Sequence, residues 1–400
     1  MTFASFGEFV SFLESKGELR RIKVEVDPRW EVTEIAVRAL REQKPALLFE
    51  KIKGSAFPLV ANAYASEKRI NYALHGDPQE LGEQLVSFFE RMVPPNAASL
   101  WDNRRVVQRL FNTRTRSTSS GLAQQVLSNL TFDDLPVQTC WPEDGGRFLT
   151  LGQVVTYDPS DGKRNIGIYR MQVYDGRTAG MHWQIQKGGG FHYFKAEQQK
   201  QDLEVGVALG TDPALLLATV AALPEGLDEA LLAAFLRGRA TSFTKGKMIS
   251  TFVPANAEFV LEGVVRQGER RSEGPFGDHF GHYSHKAPFP VFRLKKITHR
   301  RNPVYPATVV GIPPMEDKFL GDATQRILGP LVRLLHKEVK DVWAYYEAGF
   351  HNLLVASVEE RYHKEAMKAA LGLLGTGQLS LTKCMILVSE DVDPGDWKAV

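Results

Sequence analysis

The apolar positions of this chain change period as it proceeds, and each change predicts a different kind of element. Phe6, Phe9, Val10 and Leu13 fall on one helical face, and Gly17 is placed to end that helix. Ile22, Val24 and Val26 then alternate with polar residues, the signature of a half-buried strand. Helical spacing returns from Trp30 to Glu42, and Ala46-Leu-Leu-Phe49 reads as a buried strand. These elements predict an N-terminal α/β domain over residues 1–115. Residues 111–135, polar and rich in Ser and Thr (NTRTRSTSSG), read as a linker or exposed loop.

Beyond this stretch the period shortens to that of strands. LTLGQVVTY, IGIYRMQVYD and MHWQIQ each read as one strand. Lys187-Gly-Gly-Gly190 reads as the end of the last, where glycines let backbone N–H groups approach an anion beside a lysine. Asp212-Pro213 opens a helix, a capping residue followed by proline in the first turn. A second helix carries Asp228 and Glu229 in its first turn and Gly238 past its end. Strands return at 258–266 and 290–298. The central domain, 116–310, is therefore strand-dominated with a helical insertion, and helix and strand alternate again over 311–400.

Composition narrows the function without naming it. A chain of 400 residues with 43% hydrophobic and 24% charged residues is an ordinary globular protein, long enough for more than one core. A net charge of +2 gives no electrostatic reason to expect nucleic acid. Two cysteines far apart, Cys140 and Cys384, rule out a disulfide framework and suit a reducing cytoplasm. No apolar run approaches the ~20 residues of a membrane span, so the chain reads as soluble.

Between the two late strands lies EGPFGDHFGHYS, residues 273–284. Strict alternation would put Glu273 and Asp278 on opposite faces, but the Gly-Pro-Phe-Gly between them makes a turn that can aim both into one pocket. Two neighbouring carboxylates resist joint ionisation, so one should hold its proton. The competing reading is a solvated turn. Upstream, Ile168, Arg170 and Gln172 share a strand face, and an inward arginine needs a buried carboxylate partner, for which Glu273 and Asp278 are the candidates; the competing reading is a solvent-facing arginine. Asn165 stands at the strand entrance, where its amide oxygen could meet a metal. His279, His282 and His285 with Asp278 suggest a metal-dependent hydrolase, although three-residue spacing alternates faces on a strand. Glu229 is by default a favourable partner of its helix dipole.

In combination, NIGIYR (165–170), MHWQIQKGG (181–189), LPEGLDEALLAAFLRG (223–238), EGPFGDHFGHYS, PVFRLKKITHR and SEDVDPGDW resemble the UbiD-like decarboxylases, in order and across nearly the whole chain. The resemblance implies a central split β-barrel of flavin-reductase type between two α/β domains. It implies prenylated FMN, a divalent metal (Mn2+ or Mg2+) and K+ near the cofactor phosphate. Asn165 and Glu229 match metal-ligand positions, with His182 and His192 as candidates for a third. Ile168, Tyr169, Arg170, His182, Trp183, Gln184, Lys187 and Gly188 match cofactor contacts. Arg170, Glu273 and Asp278 match the catalytic network, with Asp278 as proton donor.

The implied reaction is non-oxidative decarboxylation, or its reverse, of an aromatic carboxylic acid. Aspartate at 278, where the cinnamic-acid branch carries glutamate, leans toward a 4-hydroxybenzoate- or naphthoate-type quinone precursor. A flavin prenyltransferase would supply the cofactor, and a homo-oligomer is implied. A prenylated substrate would bring peripheral membrane contact to a cytoplasmic enzyme. The chain ends at Trp397-Lys-Ala-Val400, earlier than family members usually do, which leaves the assembly and a non-catalytic flavin-binding role open.

Overall fold

Ser5 accepts a hydrogen bond from Glu8 N and so opens α1 (Phe6–Ser15), which buries Phe6, Phe9, Val10 and Leu13, the face its periodicity marks. The computed structural model describes residues 2–91, 104–184, 188–221, 223, 226–350 and 352–400. After α1 come β1 (Leu19–Val26), α2 (Glu31–Arg41), β2 (Ala46–Ile52) and β3 (Leu59–Ala61), then α3 (Glu67–Leu74), α4 (Pro78–Arg91) and α5 (Arg104–Phe111).

The middle of the chain holds β4 (Thr115–Thr118), β5 (Val126–Ser128), β6 (Arg147–Leu149), β7 (Gln153–Tyr157), β8 (Arg164–Ile168), β9 (Met171–Asp175) and β10 (Thr178–Met181). Helix α6 (Gly188–Gln198), β11 (Leu203–Leu209), α7 (Pro213–Val220) and α8 (Glu229–Arg237) follow. Then come β12 (Thr241–Lys245), β13 (Phe252–Pro254), the long pair β14 (Phe259–Glu273) and β15 (Ala287–His299), and β16 (Tyr305–Ala307). The chain closes with α9 (Glu316–Leu335), β17 (Val339–Ala344), β18 (Leu353–Val358), α10 (Glu365–Leu374) and β19 (Cys384–Ser389).

A nine-stranded sheet forms the centre, in the order β6-β9-β10-β15-β14-β11-β7-β8, with β5 paired to β15. Strands β8 and β9 sit near opposite ends of that order, yet only Tyr169 and Arg170 join them. So short a link reaches about 10 Å. The sheet must therefore curl until its two ends almost meet, leaving a split that Arg170 occupies. Val154, Val205, Val207, Leu261 and Phe292 are buried within one core cluster of this half-barrel. The expectation that IGIYRMQVYD is a single strand is corrected here. Its apolar alternation continues through the link, but its pairing changes: β8 pairs β7, and β9 pairs β6 and β10.

Two other readings are revised. Residues 111–135 contain more than linker: β4 lies parallel to β12, and β5 completes a pairing with β15. Their largely exposed side chains let polar residues serve in strands. The triple glycine does not end a strand; it begins α6.

Other signals hold. Asp212 caps α7 with proline at its start, Asp228 caps α8, and Gly238 at φ 72 ends it. The N-terminal sheet runs β1-β2-β3-β16, so residues 305–307 return to pair in parallel with β3. Helix α9 packs Leu320, Ala323 and Ile327 into the same core as Phe9, Leu13 and Tyr64. Each fully buried leucine, isoleucine or phenylalanine among these is worth about 1.5–3 kcal/mol. The last sheet runs β17-β18-β19. Among the described residues, no helix is long and apolar enough to cross a membrane.

Candidate active site

Arg170, in the split of the half-barrel, binds both acids of the late turn. Its Nε lies 3.0 Å from Glu273 Oε1, its Nη1 2.9 Å from Asp278 Oδ2, and its Nη2 3.1 Å from Ser284 Oγ. Its guanidinium also lies 4.5 Å from the Phe276 ring centre. Glu273 is the last residue of β14 and is fully buried. Asp278 follows five residues later in a tight hairpin, closed by Asp278 N donating to His282 O and Ser284 N donating to Phe276 O. The turn thus overrides strand alternation and brings both carboxylates to one cation.

Each acid also has a histidine. His182 Nδ1 is 2.7 Å from Glu273 Oε2, and His279 Nδ1 is 2.6 Å from Asp278 Oδ1. Burial alone would raise both carboxyls. For Glu273 it is outweighed by the His182 hydrogen bond and the Arg170 charge, so the group lies below its usual range. For Asp278 it is outweighed by His279 and then Arg170, which hold it at about 2. The expectation that one acid keeps its proton through mutual repulsion is therefore overturned. A guanidinium forked between the two acids, with a histidine on each outer side, allows both to ionise.

A clamp that sequence reasoning missed holds the turn. Asp144 Oδ1 accepts from Gly277 N at 2.8 Å, while its Oδ2 accepts from Trp141 N at 2.8 Å and Cys140 N at 3.1 Å. Gln172 accepts from Gly274 N at 2.7 Å and donates to Gly145 O at 2.6 Å. A Cβ on Gly277 would sit 2.2 Å from Trp141, so only glycine permits this approach. The turn-rich CWPEDGG at 140–146 was the available signal, but nothing local tied it to residues more than a hundred positions away.

Glu229, the first residue of α8, reaches the backbone of β8 next to Asn165. Glu229 Oε2 accepts from Ile166 N at 3.0 Å, and burial pushes its carboxyl up to about 7. Asp228, the cap beside it, pairs with Arg164, which lies over the Phe243 ring. Among the described residues, Asn165 Nδ2 is buried with no hydrogen-bond partner, and a Cβ on Gly188 would fall 2.0 Å from Asn165 Oδ1. Two hard oxygen donors, one of them a carboxylate that burial penalises, suit a divalent cation.

The candidates for a third ligand are engaged elsewhere: His182 on Glu273, and His192 Nδ1 on Thr156 Oγ1 at 2.9 Å. Tyr169 is buried, and its hydroxyl accepts from Gly189 N at 3.0 Å, fixing the start of α6. Trp183 is buried against Tyr169 and Tyr193, and its Nε1 has no partner among the described residues. Ile168 packs on the N-terminal core, and Gln184 is exposed. Lys187 lies outside the described residues.

The histidine trio does not converge. His282 and His285 are exposed, His282 stacks on Phe280, and His279 faces Asp278. Among the described residues, no group of three or more His, Cys, Asp or Glu could hold a metal ion. The geometry therefore gives the hydrolase reading no site.

Residues 10–89, 114–313 and 318–400 match, respectively, the N-terminal, Rift-related and C-terminal domains of the 3-octaprenyl-4-hydroxybenzoate carboxy-lyase (UbiD) family. An uncharacterised protein of Archaeoglobus fulgidus is 43% identical over 100% of this chain and 83% of its own length. A Chlamydia pneumoniae protein named as a subunit of 4-hydroxybenzoate decarboxylase is 40% identical over 96% of this chain, which spans 65% of that relative. An evolved dimeric form of the UbiD-class enzyme HmfF from Pelotomaculum thermopropionicum, in complex with prFMN, has a TM-score of 0.83 at 28% identity, covering 99% of this chain and 88% of that one. The vanillic acid decarboxylase of Sedimentibacter hydroxybenzoicus in closed form has a TM-score of 0.87 at 25% identity, covering 100% and 83%. By its domain order, its relatives and its curled central sheet, the chain belongs to the UbiD family of carboxy-lyases.

Proposed function

We propose that this chain is a prenylated-FMN-dependent non-oxidative decarboxylase of a hydroxylated aromatic acid, of the 4-hydroxybenzoate or naphthoate quinone-precursor type. The observation that carries the reading is Arg170 bonded to both Glu273 and Asp278 in the split of the barrel. The names of two relatives, a 4-hydroxybenzoate decarboxylase subunit and a vanillic acid decarboxylase, support a hydroxylated benzoic acid. That the first is named as a subunit supports assembly with other chains beside the homo-oligomer.

Loss of carbon dioxide from an sp² carbon leaves an electron pair that no side chain can delocalise, and the prenylated flavin, when bound, supplies the electron sink. The protein's part is to position and to move a proton. Arg170 holds Glu273 and Asp278 as anions and orients them. Glu273 fixes the guanidinium from its buried side, and Asp278 delivers a proton to the vacated carbon. Ile168, Tyr169, His182, Trp183, Gln184, Lys187 and Gly188 match the family's cofactor contacts and would hold the flavin. Asn165 and Glu229 would hold manganese or magnesium, which would neutralise the cofactor's phosphate, near the N-terminus of α6, whose partial charge favours an anion.

Co-expression with a flavin prenyltransferase tests this reading. The loaded protein should absorb visible light, carry a divalent metal and release carbon dioxide from a hydroxylated benzoic acid. Protein expressed alone should release none. Glu229→Ala should fold yet purify nearly colourless. A Glu229→Ala protein with full flavin and metal content would remove Glu229 from the metal site.

A further inference from the structure

Asp278 poses a problem for its own assigned role. Paired with Arg170 and with His279, it is an anion at neutral pH, and an anion has no proton to give. The structure places a proton next to it. His279 Nδ1 lies 2.6 Å from Asp278 Oδ1, and the His279 backbone N–H reaches the same oxygen at 2.7 Å. The imidazole is wedged between Phe280 and Phe350, and its Nε2 is buried with no partner among the described residues. A second acid, Asp317 in the first turn of α9, acts on the ring from another element.

We propose that His279 is the proton reservoir of the decarboxylation, acting through Asp278 and held in its charged form by Asp278 and Asp317. This rests on the reading that Asp278 protonates carbon. The bond to the departing carboxylate breaks and leaves its electron pair on the ring carbon. Asp278 gives that carbon a proton received from His279 Nδ1, so one C–C bond is exchanged for one C–H bond. His279 regains the proton from solvent, and carbon dioxide leaves with no net redox change.

The charged groups around His279 set the pH at which this stops. Burial alone would lower His279, but the Asp278 hydrogen bond and charge, and then Asp317, raise it above its ordinary value, with Arg170 opposing. Asp317 itself is raised to about 6 by burial, with His279 opposing. The reservoir is thus full at and below neutral pH and empties as pH rises through the raised value.

His279→Asn keeps an N–H donor for Asp278 but cannot titrate. In enzyme loaded by co-expression with a flavin prenyltransferase, it should bind flavin normally and lose about 10²-fold in product formation. It should also lose the alkaline fall of the wild-type rate. Asp317→Asn leaves the Asp278–His279 pair in place and should move that fall to lower pH.

Nitrogen-15 NMR of histidine-labelled protein reads the same proton without turnover: His279 should remain an imidazolium above pH 7 in the wild type and titrate lower in Asp317→Asn. A neutral His279 at pH 7, or a His279→Asn enzyme with the wild-type rate and pH profile, would overturn the proposal. Wild-type enzyme that is loaded yet releases no carbon dioxide would instead overturn the assignment of the reaction.

Discussion

Arg170→Ala should abolish decarboxylation and also weaken the fold. The substitution leaves Glu273 fully buried without its cation, and breaking a buried pair from one side costs about 3–5 kcal/mol. Asp278 loses its arginine partner, and Phe276 loses the guanidinium lying over its ring. Two consequences should be measured on the same preparation: carbon dioxide release, expected to vanish, and the denaturant midpoint, expected to fall. Arg170→Lys should recover part of the stability and little of the rate, because an ammonium cannot fork between two carboxylates and a serine hydroxyl. If Arg170→Ala turned over at a near wild-type rate, the network would be structural.

Asp278→Asn should leave folding and flavin content intact and lower turnover by about 10²–10⁴-fold, the usual cost of losing a positioned acid. The amide keeps the size of the side chain, and its one oxygen can accept from Arg170 or from His279 but not from both, since these donors bond to different oxygens of Asp278. It cannot pass a proton as a carboxyl does. Binding of the aromatic acid, followed by flavin absorbance, should change far less than the rate. An Asp278→Asn enzyme with normal turnover would leave Glu273 as the donor. Glu273 is less suited to that role, because it is fully buried behind Arg170 and His182.

The parts of this site legible in the sequence share one property: their partners are close in the chain or demanded by charge. Asp228 and Gly238 bracket α8 by capping alone, and that places Glu229 at a helix start. Arg170 in an apolar strand pattern demands an acid, and the turn at 273–278 offered two. What failed was long-range. The strand through Ile168 and Met171 splits because the sheet curls, a property of nine strands together. Gly188 to Gly190 begin a helix despite their poor helix propensity, where Tyr169 and Asn165 crowd them from β8 and the link after it. The clamp of Asp144 and Gln172 on the turn could not be read, because it spans more than a hundred residues. Mutual repulsion between the two acids was the wrong governing effect, since the sequence does not show that each acid also meets a histidine.

A carboxylate–arginine network that replaces carbon dioxide with a proton on an aromatic carbon must leave a solvent hydrogen at that carbon. Decarboxylation by the flavin-loaded protein in deuterium oxide, with the product followed by proton and deuterium NMR, reads that hydrogen. One deuterium should appear at the carbon that carried the carboxylate, and its incorporation should collapse in Asp278→Asn alongside carbon dioxide release. Carbon dioxide release with only protium at that carbon, or undiminished deuterium incorporation in Asp278→Asn, would contradict the role of the network.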